Sequence, residues 1–138
     1  MRPILLALIL APLAACAPPP QAAAPAAPGI CTGLPGTPGI TARLYFGRTR
    51  TDDPAWQKFL AEHVTPRFPA GFSAFDGYGQ WRQRSTGRII QQKSTIIEIA
   101  AARDPDTIWK FEEIRADYRT RFNQESVGLV VSDSCVSF

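Results

Sequence analysis

Two helical patterns interrupt a series of β-rich runs after residue 40, and their order restricts the folds that the chain can adopt. The first pattern has a cap at Asp52 or Asp53 and a proline, Pro54, in its first turn. The second has Asp104-Pro105 at the corresponding positions. Apolar side chains recur at helical spacing at Trp56, Phe59, Leu60, His63 and Val64 in the first and at Ile108, Phe111, Ile114, Tyr118 and Phe122 in the second. Two amphipathic helices are therefore predicted.

Four β-rich runs flank these helices. They cover residues 43–46, 71–81 and 88–100, and end with the alternating residues Val127, Leu129 and Val131. The resulting order, β-α-β-β-α-β, is that of the split βαβ motif. The sequence therefore predicts an α+β, ferredoxin-like domain in which two helices cover one face of a four-stranded antiparallel sheet.

The other face of such a sheet is uncovered, and function is expected there. Alternation along the strands places Arg43, Tyr45 and Glu98 on this open face. The residues predicted to face the helices are Leu44 and Phe46 on the first strand and Thr95, Ile97 and Ile99 on the third, while Ile96 and Ala100 lie on the open face with Glu98. Because the first and third strands are neighbours in this fold, Glu98 is predicted to meet Arg43 or Tyr45. Such a pair belongs either to a ligand site or to a solvated sheet surface.

The N-terminus has the pattern of an export signal. Met1-Arg2 precedes an apolar run that ends at Leu13 and is shorter than the roughly 20 residues that span a bilayer. Leu-Ala-Ala-Cys at 13–16 then resembles the lipobox of bacterial lipoproteins. Residues 1–15 are therefore predicted to be a lipoprotein signal peptide, and acyl chains on Cys16 to anchor the protein in the bilayer. The alternative is ordinary signal cleavage, which would discard Cys16.

The residues after Cys16 indicate where the domain is held. Ala17 occupies a position where inner-membrane retention signals often carry Asp, so the outer membrane is favoured, with the domain in the periplasm. The segment 16–40 holds most of the chain's 13 prolines and has too few large apolar residues for a core. It is predicted to be a semi-rigid tether to a domain at 41–138.

The cysteines agree with export. Lipidation or removal of Cys16 leaves two of the 3 cysteines, Cys31 and Cys135, which flank the domain. In an oxidising compartment they are predicted to form a disulfide, with two free thiols as the alternative. No metal site is expected, since His63 is the only histidine and no Cys-x-x-Cys spacing occurs.

Charge and motif content exclude two further classes. The chain has 15 Lys and Arg against 12 Asp and Glu, a net charge of +3 that falls further when Arg2 is removed. The basic residues are interspersed with acidic ones, so no nucleic-acid partner is expected. No glycine-rich phosphate loop follows a strand, and no cofactor is expected.

Five short motifs occur in order along the domain. They are Leu-Tyr-Phe-Gly at 44–47, Val-Thr-Pro-Arg-Phe-Pro-Ala-Gly at 64–71, Asp-Gly-Tyr-Gly-Gln-Trp at 76–81, Arg-Phe-Asn-Gln-Glu-Ser-Val at 121–127 and the ending Cys-Val-Ser-Phe. Together they resemble an uncharacterised bacterial lipoprotein family, the domain of unknown function 3574, over about residues 41–138. The resemblance implies an envelope location and one fold unit. No activity is assigned to that family, so it implies no catalytic residues.

Few side chains qualify as site residues. His63 is the one group that titrates near neutral pH and is the catalytic candidate, as a general base. Its place on an apolar helix face favours a structural role instead. Residues 76–81 offer Tyr78 and Trp81 for stacking on a strand with two glycines, although an edge strand whose Trp covers the core is the alternative. The ligand-binding candidates are Arg43, Tyr45, Tyr78, Trp81 and Glu98.

The segment 121–126 has two interpretations. It could form a site, but helix-end chemistry is preferred, because Arg119 and Arg121 suit the C-terminal dipole and Asn123 suits a left-handed cap.

These observations predict a binding or interaction module that uses its open sheet face. Its partner would be a second copy of the chain or another envelope protein. The alternative is a small periplasmic enzyme of the dimeric ferredoxin-like type, with a cleft near His63, Arg48 and Trp81 and a small ligand. A third possibility is a structural spacer without a ligand.

Overall fold

The computed structural model describes residues 29–48 and 54–138. The predicted signal peptide 1–15, the predicted lipidation site Cys16 and the predicted caps Asp52 and Asp53 lie outside these residues. The elements are β1 (Thr37–Arg48), α1 (Pro54–Phe59) with a π-helical continuation (Leu60–Val64), β2 (Ser73–Arg82), β3 (Ile89–Ala101), α2 (Pro105–Phe122) and β4 (Gly128–Val136). No helix within the described ranges is long and apolar enough to cross a membrane.

The four strands form one antiparallel sheet in the order β2-β3-β1-β4. The two longest strands, β1 and β3, lie at its centre, and the predicted α+β, ferredoxin-like arrangement is confirmed. Arg43 pairs with Glu98 in the register of β1 and β3. The Arg43 Nε donates to Glu98 Oε2 at 2.6 Å, so the predicted neighbours on the open face are also confirmed.

The core lies between the sheet and the helices. Alternate residues of β1, among them Leu44 and Phe46, are fully buried, as are Ile97 and Ile99 of β3. Phe46 lies at the centre of an aromatic cluster, with ring centroids 4.7 Å from Tyr118, 5.2 Å from Trp56 and 6.2 Å from Phe59. The predicted inward set is confirmed because strand alternation and helix spacing both point these side chains to one layer.

Both ends of α2 are capped as predicted. The Asp104 carboxylate accepts from the Thr107 backbone N–H at 2.8 Å, and this bond lowers the pKa of Asp104. Asn123 closes the helix in the left-handed region, with φ of 50°. One assignment was wrong: Ile108 is exposed, and Thr107 is buried in its place. The buried stripe of Phe111, Ile114 and Tyr118 runs closer to position 107 than to 108.

Strand β1 begins at Thr37, so residues 37–40 of the predicted tether belong to the sheet. Pro38 and Gly39 indicated irregular chain, but both pair with β4. Just before β1, Cys31 forms the predicted disulfide with Cys135, whose Cα is 5.0 Å away. The bond therefore ties the entry to the domain to its last strand.

Candidate functional site

The open sheet face carries a groove of about 600 Å³ over β2, β3 and the end of β1. Residues that pair across neighbouring strands form rows across the sheet, and the floor of the groove consists of four such rows on the open face. The first row contains Tyr45 and Ile96, and the last contains Ile90 and Trp81. Ile90 and Ile96 are six residues apart on β3, which is about 20 Å along a strand. The groove is therefore elongated, with aromatic side chains at opposite ends.

Small residues form the middle of the floor. Gly47, Ser94 and Gly77 make one row, and Gln92 and Gly79 make the next. Since three of these five residues have no side chain, the surface is depressed between the aromatic ends. A volume of this size is typical of a small-molecule site.

The chain after α2 forms the side wall, at residues 123–126. The left-handed Asn123 turns the chain away from the helix, and the Gln124 N–H donates to Arg119 O at 3.1 Å. Glu125 then accepts from Gln83 Nε2 at 3.4 Å, which links the wall to the β2–β3 hairpin. Among the groove-lining residues in the described ranges, Glu125 is the one carboxylate. The interpretation of the segment 121–126 as helix-end chemistry alone was too narrow. Asn123 ends the helix as predicted, but it also turns the following residues towards the groove, where they form its wall.

Gln92 has an unusual position in the floor. Its Nε2 is buried and has no hydrogen-bond partner within the described residues. A Cβ on Gly47 would lie 1.7 Å from this Nε2, so the amide occupies space that a glycine leaves open. A Cβ on Gly79 would meet its closest atom, Gln92 O, at 3.9 Å, an ordinary contact.

The structure places the predicted ligand-binding residues in three positions. Tyr45 and Trp81 line the groove at its two ends. Tyr78 borders it, although the register assigns its side chain to the sheet face opposite that of Trp81. Arg43 and Glu98 lie one row beyond Tyr45, outside the groove, where hydrogen bonding and then charge from Glu98 raise the pKa of Arg43.

His63 lies in the helix layer. Its Nδ1 is 2.7 Å from Asp117 Oδ2, and its ring stacks on Phe59 with centroids 4.9 Å apart. Arg67 Nη1 also donates to His63 O at 2.8 Å. The contact with Asp117 joins the first helix to α2. His63 therefore has the structural role that its helix spacing favoured.

The predicted cleft of His63, Arg48 and Trp81 is wrong. Arg48 is buried on the helix side of the sheet, 4.6 Å above the Trp56 ring, and donates to Thr95 Oγ1 at 3.1 Å. Trp81 lies on the open face. Strand alternation therefore places Arg48 and Trp81 on opposite faces of the sheet, so they cannot line one cleft.

The sequence missed most of the groove. Gly47, Gln92, Ser94 and the wall at 123–126 were not selected as site residues. The available signal was the pair of glycines at 77 and 79 beside Trp81, together with the motif at 121–127. No local pattern connects these segments, since the sheet register brings them together.

Two solved structures of a phage SAM lyase are similar to this fold. The complex with S-methyl-5'-thioadenosine has a TM-score of 0.58 and 20% sequence identity, over 71% of this chain and 83% of that chain. The apo state has a TM-score of 0.53 and 20% identity, over 72% of this chain and 86% of that chain. At this identity the likeness establishes the fold.

The comparison corrects the functional prediction of a binding or interaction module. The similar structures are those of an enzyme that holds a small molecule. The open face is also not a flat docking surface but contains a groove of small-molecule size. The alternative prediction, a small enzyme acting on a small ligand, fits both observations better, although the site is not the cleft first expected.

Comparison by sequence gives the family. No curated protein sequence matches the chain. The sequence model of the family described as "Protein of unknown function (DUF3574)" matches residues 41–138, which are most of the chain and include every residue of the groove. The chain therefore belongs to the DUF3574 family.

Proposed function

We propose that this domain is an enzyme that acts on a 5'-thioadenosine compound bound in the open-face groove. The groove itself carries the proposal: it is about 600 Å³ in volume, has aromatic ends, and lies next to a single carboxylate, Glu125, among its described lining residues. The similarity to a phage SAM lyase that holds S-methyl-5'-thioadenosine supports this ligand class.

The shape of the groove suits an extended ligand. A 5'-thioadenosine compound has a flat base, a ribose and a sulfur substituent in line, and the groove is about 20 Å long. The base would lie at the Tyr45 end, where stacking on an aromatic ring contributes about 1–3 kcal/mol per base. The sulfur would then lie towards Trp81, whose ring face attracts a sulfonium cation. The Glu125 carboxylate is at this end too, because it contacts Gln83, two residues beyond Trp81.

Glu125 supplies the chemistry. Its negative charge favours a sulfonium ligand over a neutral thioether. In an elimination, the Glu125 carboxylate would accept a proton from the departing carbon chain as the C–S bond breaks and its electron pair passes to sulfur. The products are a protonated Glu125, an alkene and a neutral thioether. The step requires neither an oxidant nor a reductant.

We expect Glu125→Gln to slow cleavage by about 100-fold to 10,000-fold, the usual contribution of a positioned acid or base. Release of S-methyl-5'-thioadenosine from S-adenosylmethionine, followed by liquid chromatography and mass spectrometry, measures the rate. Binding of S-methyl-5'-thioadenosine should persist in the variant. Glu112→Gln, on the exposed side of α2, is the matched control and should leave the rate unchanged. Equal rates in wild type and Glu125→Gln would contradict the role of Glu125.

We also propose that lipid on Cys16 anchors the enzyme in the bacterial envelope, with the outer membrane as the preferred site. The pairing of Cys31 with Cys135 supports this, because it leaves Cys16 as the odd cysteine. A segment rich in Pro and Ala then separates Cys16 from the domain.

The lipid anchor predicts the mass of the mature protein. Intact-mass measurement of protein extracted from membranes should give a chain that begins at Cys16 and carries acyl chains. Cys16→Ser should move the protein into the soluble periplasmic fraction, since the anchor is then lost. An unmodified mature chain that begins at Pro18 would refute the anchor.

A further inference from the structure

Gln92 lies in the middle of the groove floor with an unused donor. Its Nε2 is buried without a hydrogen-bond partner within the described residues. An unpaired buried donor lowers the stability of the fold, because it has lost its hydrogen bonds to water and forms none within the protein. Its cost is offset if a ligand supplies the missing acceptor.

A second amide converges on the same point. Gln124 Oε1 would lie 3.2 Å from a Cβ on Gly47, and Gln92 Nε2 would lie 1.7 Å from it. Gln92 comes from β3 and Gln124 from the wall after α2, and both line the groove. An amide donor and an amide acceptor are therefore adjacent above Gly47.

We infer that Gln92 and Gln124 together recognise the edge of an adenine base. Adenine presents a ring-nitrogen acceptor beside the donor N6 amino group, which complements an amide donor beside an amide acceptor. Hypoxanthine has an oxygen in place of N6, so its N7 edge presents two acceptors. Gly47, beneath the two amides, is next to Tyr45 on the same face of β1, where the base would stack. This inference rests on the proposed function and adds the residues that select the base.

The test uses calorimetric titration of the full-length protein with S-methyl-5'-thioadenosine and S-methyl-5'-thioinosine. We expect wild type to bind the adenine compound about tenfold to a hundredfold more tightly, since a polar site rejects a ligand that leaves its groups unpaired. Gln92→Met should abolish most of this preference. Gln91→Met is the matched control, because Gln91 is on the other sheet face and pairs with Gln80 at 2.6 Å; it should keep the preference.

Thermal unfolding of the ligand-free protein gives a second readout. Gln92→Met removes a buried unpaired donor and keeps the side-chain length, so its melting temperature should rise by a few degrees. A purely structural amide would show the opposite, a lower melting temperature. A higher melting temperature of Gln92→Met together with a loss of the preference for the adenine compound would indicate that Gln92 serves to bind the ligand rather than to stabilise the fold.

The possible results separate this inference from the proposed function. If wild type binds the adenine compound and Gln92→Met keeps the full preference for it, base recognition by Gln92 is refuted while the proposed function stands. A lower melting temperature for Gln92→Met also refutes it. If wild type binds neither compound, both the inference and the proposed function are overturned.

Gly47 provides an independent check on where the amide lies. Gly47→Ala should lower the affinity for S-methyl-5'-thioadenosine, because its Cβ needs the space of Gln92 Nε2. Gly47→Ala should also lower the melting temperature of the wild-type protein. In a Gln92→Ala background, where the amide is gone, it should lower the melting temperature much less. An equal fall in melting temperature in both backgrounds would show that Gln92 does not lie over Gly47, and would overturn the inference.

Discussion

Replacing Gly79 by leucine should weaken binding of S-methyl-5'-thioadenosine by about a hundredfold, the upper end of an overpacking cost of ~1–3 kcal/mol. Gly79 lies in the floor in the same row as Gln92, next to the Trp81 row, so a leucine side chain there would fill the middle of the groove. The ligand would have to lift away from both the floor and the wall. Calorimetric titration measures the loss, and the rate of S-adenosylmethionine cleavage should fall with it.

The same variant should remain folded. A Cβ at position 79 would meet no atom closer than 3.9 Å, and its strand geometry does not need a glycine. Leucine also lowers the conformational entropy of the unfolded chain relative to glycine, so stability should be equal or higher. Ser132→Leu is the matched control: it adds the same side chain to the open face on β4, outside the groove. Unchanged binding in Gly79→Leu would locate the ligand elsewhere.

Removing the disulfide should cause the largest loss of stability. Cys31 and Cys135 are separated by 104 residues, and closing a loop of that length contributes about 4–5 kcal/mol in the chain-entropy model. Since the whole free energy of unfolding of a small domain is about 5–15 kcal/mol, Cys31→Ser with Cys135→Ser would leave a marginal fold. Urea titration followed by circular dichroism measures the change.

Two controls isolate the disulfide from the serine substitutions. Wild type under a strong thiol reductant should lose the same free energy of unfolding as the double variant, and the double variant should not respond to reductant. The disulfide lies at the start of β1, whereas the groove lies at the end of that strand, near Tyr45. The folded double variant should therefore bind S-methyl-5'-thioadenosine as wild type does. A loss below about 1 kcal/mol would contradict the stabilising role.

Much of the scaffold could be predicted because its signals are local. Asp104-Pro105 begins α2 and Asn123 ends it, and strand alternation assigned Phe46 to the core. The error at Ile108 has the same origin: helical spacing alone allowed either 107 or 108 to complete the stripe. The contact of Arg43 with Glu98 followed once the element order implied that β1 and β3 are neighbours.

The candidate site was predicted poorly. Tyr45 and Trp81 were selected as isolated aromatic residues, and the structure places both in the groove. Gln92 carries no sequence signal, since its buried amide is meaningful only beside Gly47. The segment 121–126, which contains Glu125, was interpreted as helix-end chemistry, because the contact of Glu125 with Gln83 on the β2–β3 hairpin is remote in sequence.

The sequence by itself determined the order of the helices and strands and most of their inward faces, and it favoured the pairing of Cys31 with Cys135. Each follows from short-range periodicity, capping or a count of cysteines. The tertiary structure alone decided that the β-rich rows and the chain after α2 enclose a groove. The physical reason is that a groove consists of distances between segments, and sheet register and a helix end set those distances only once the whole domain has packed.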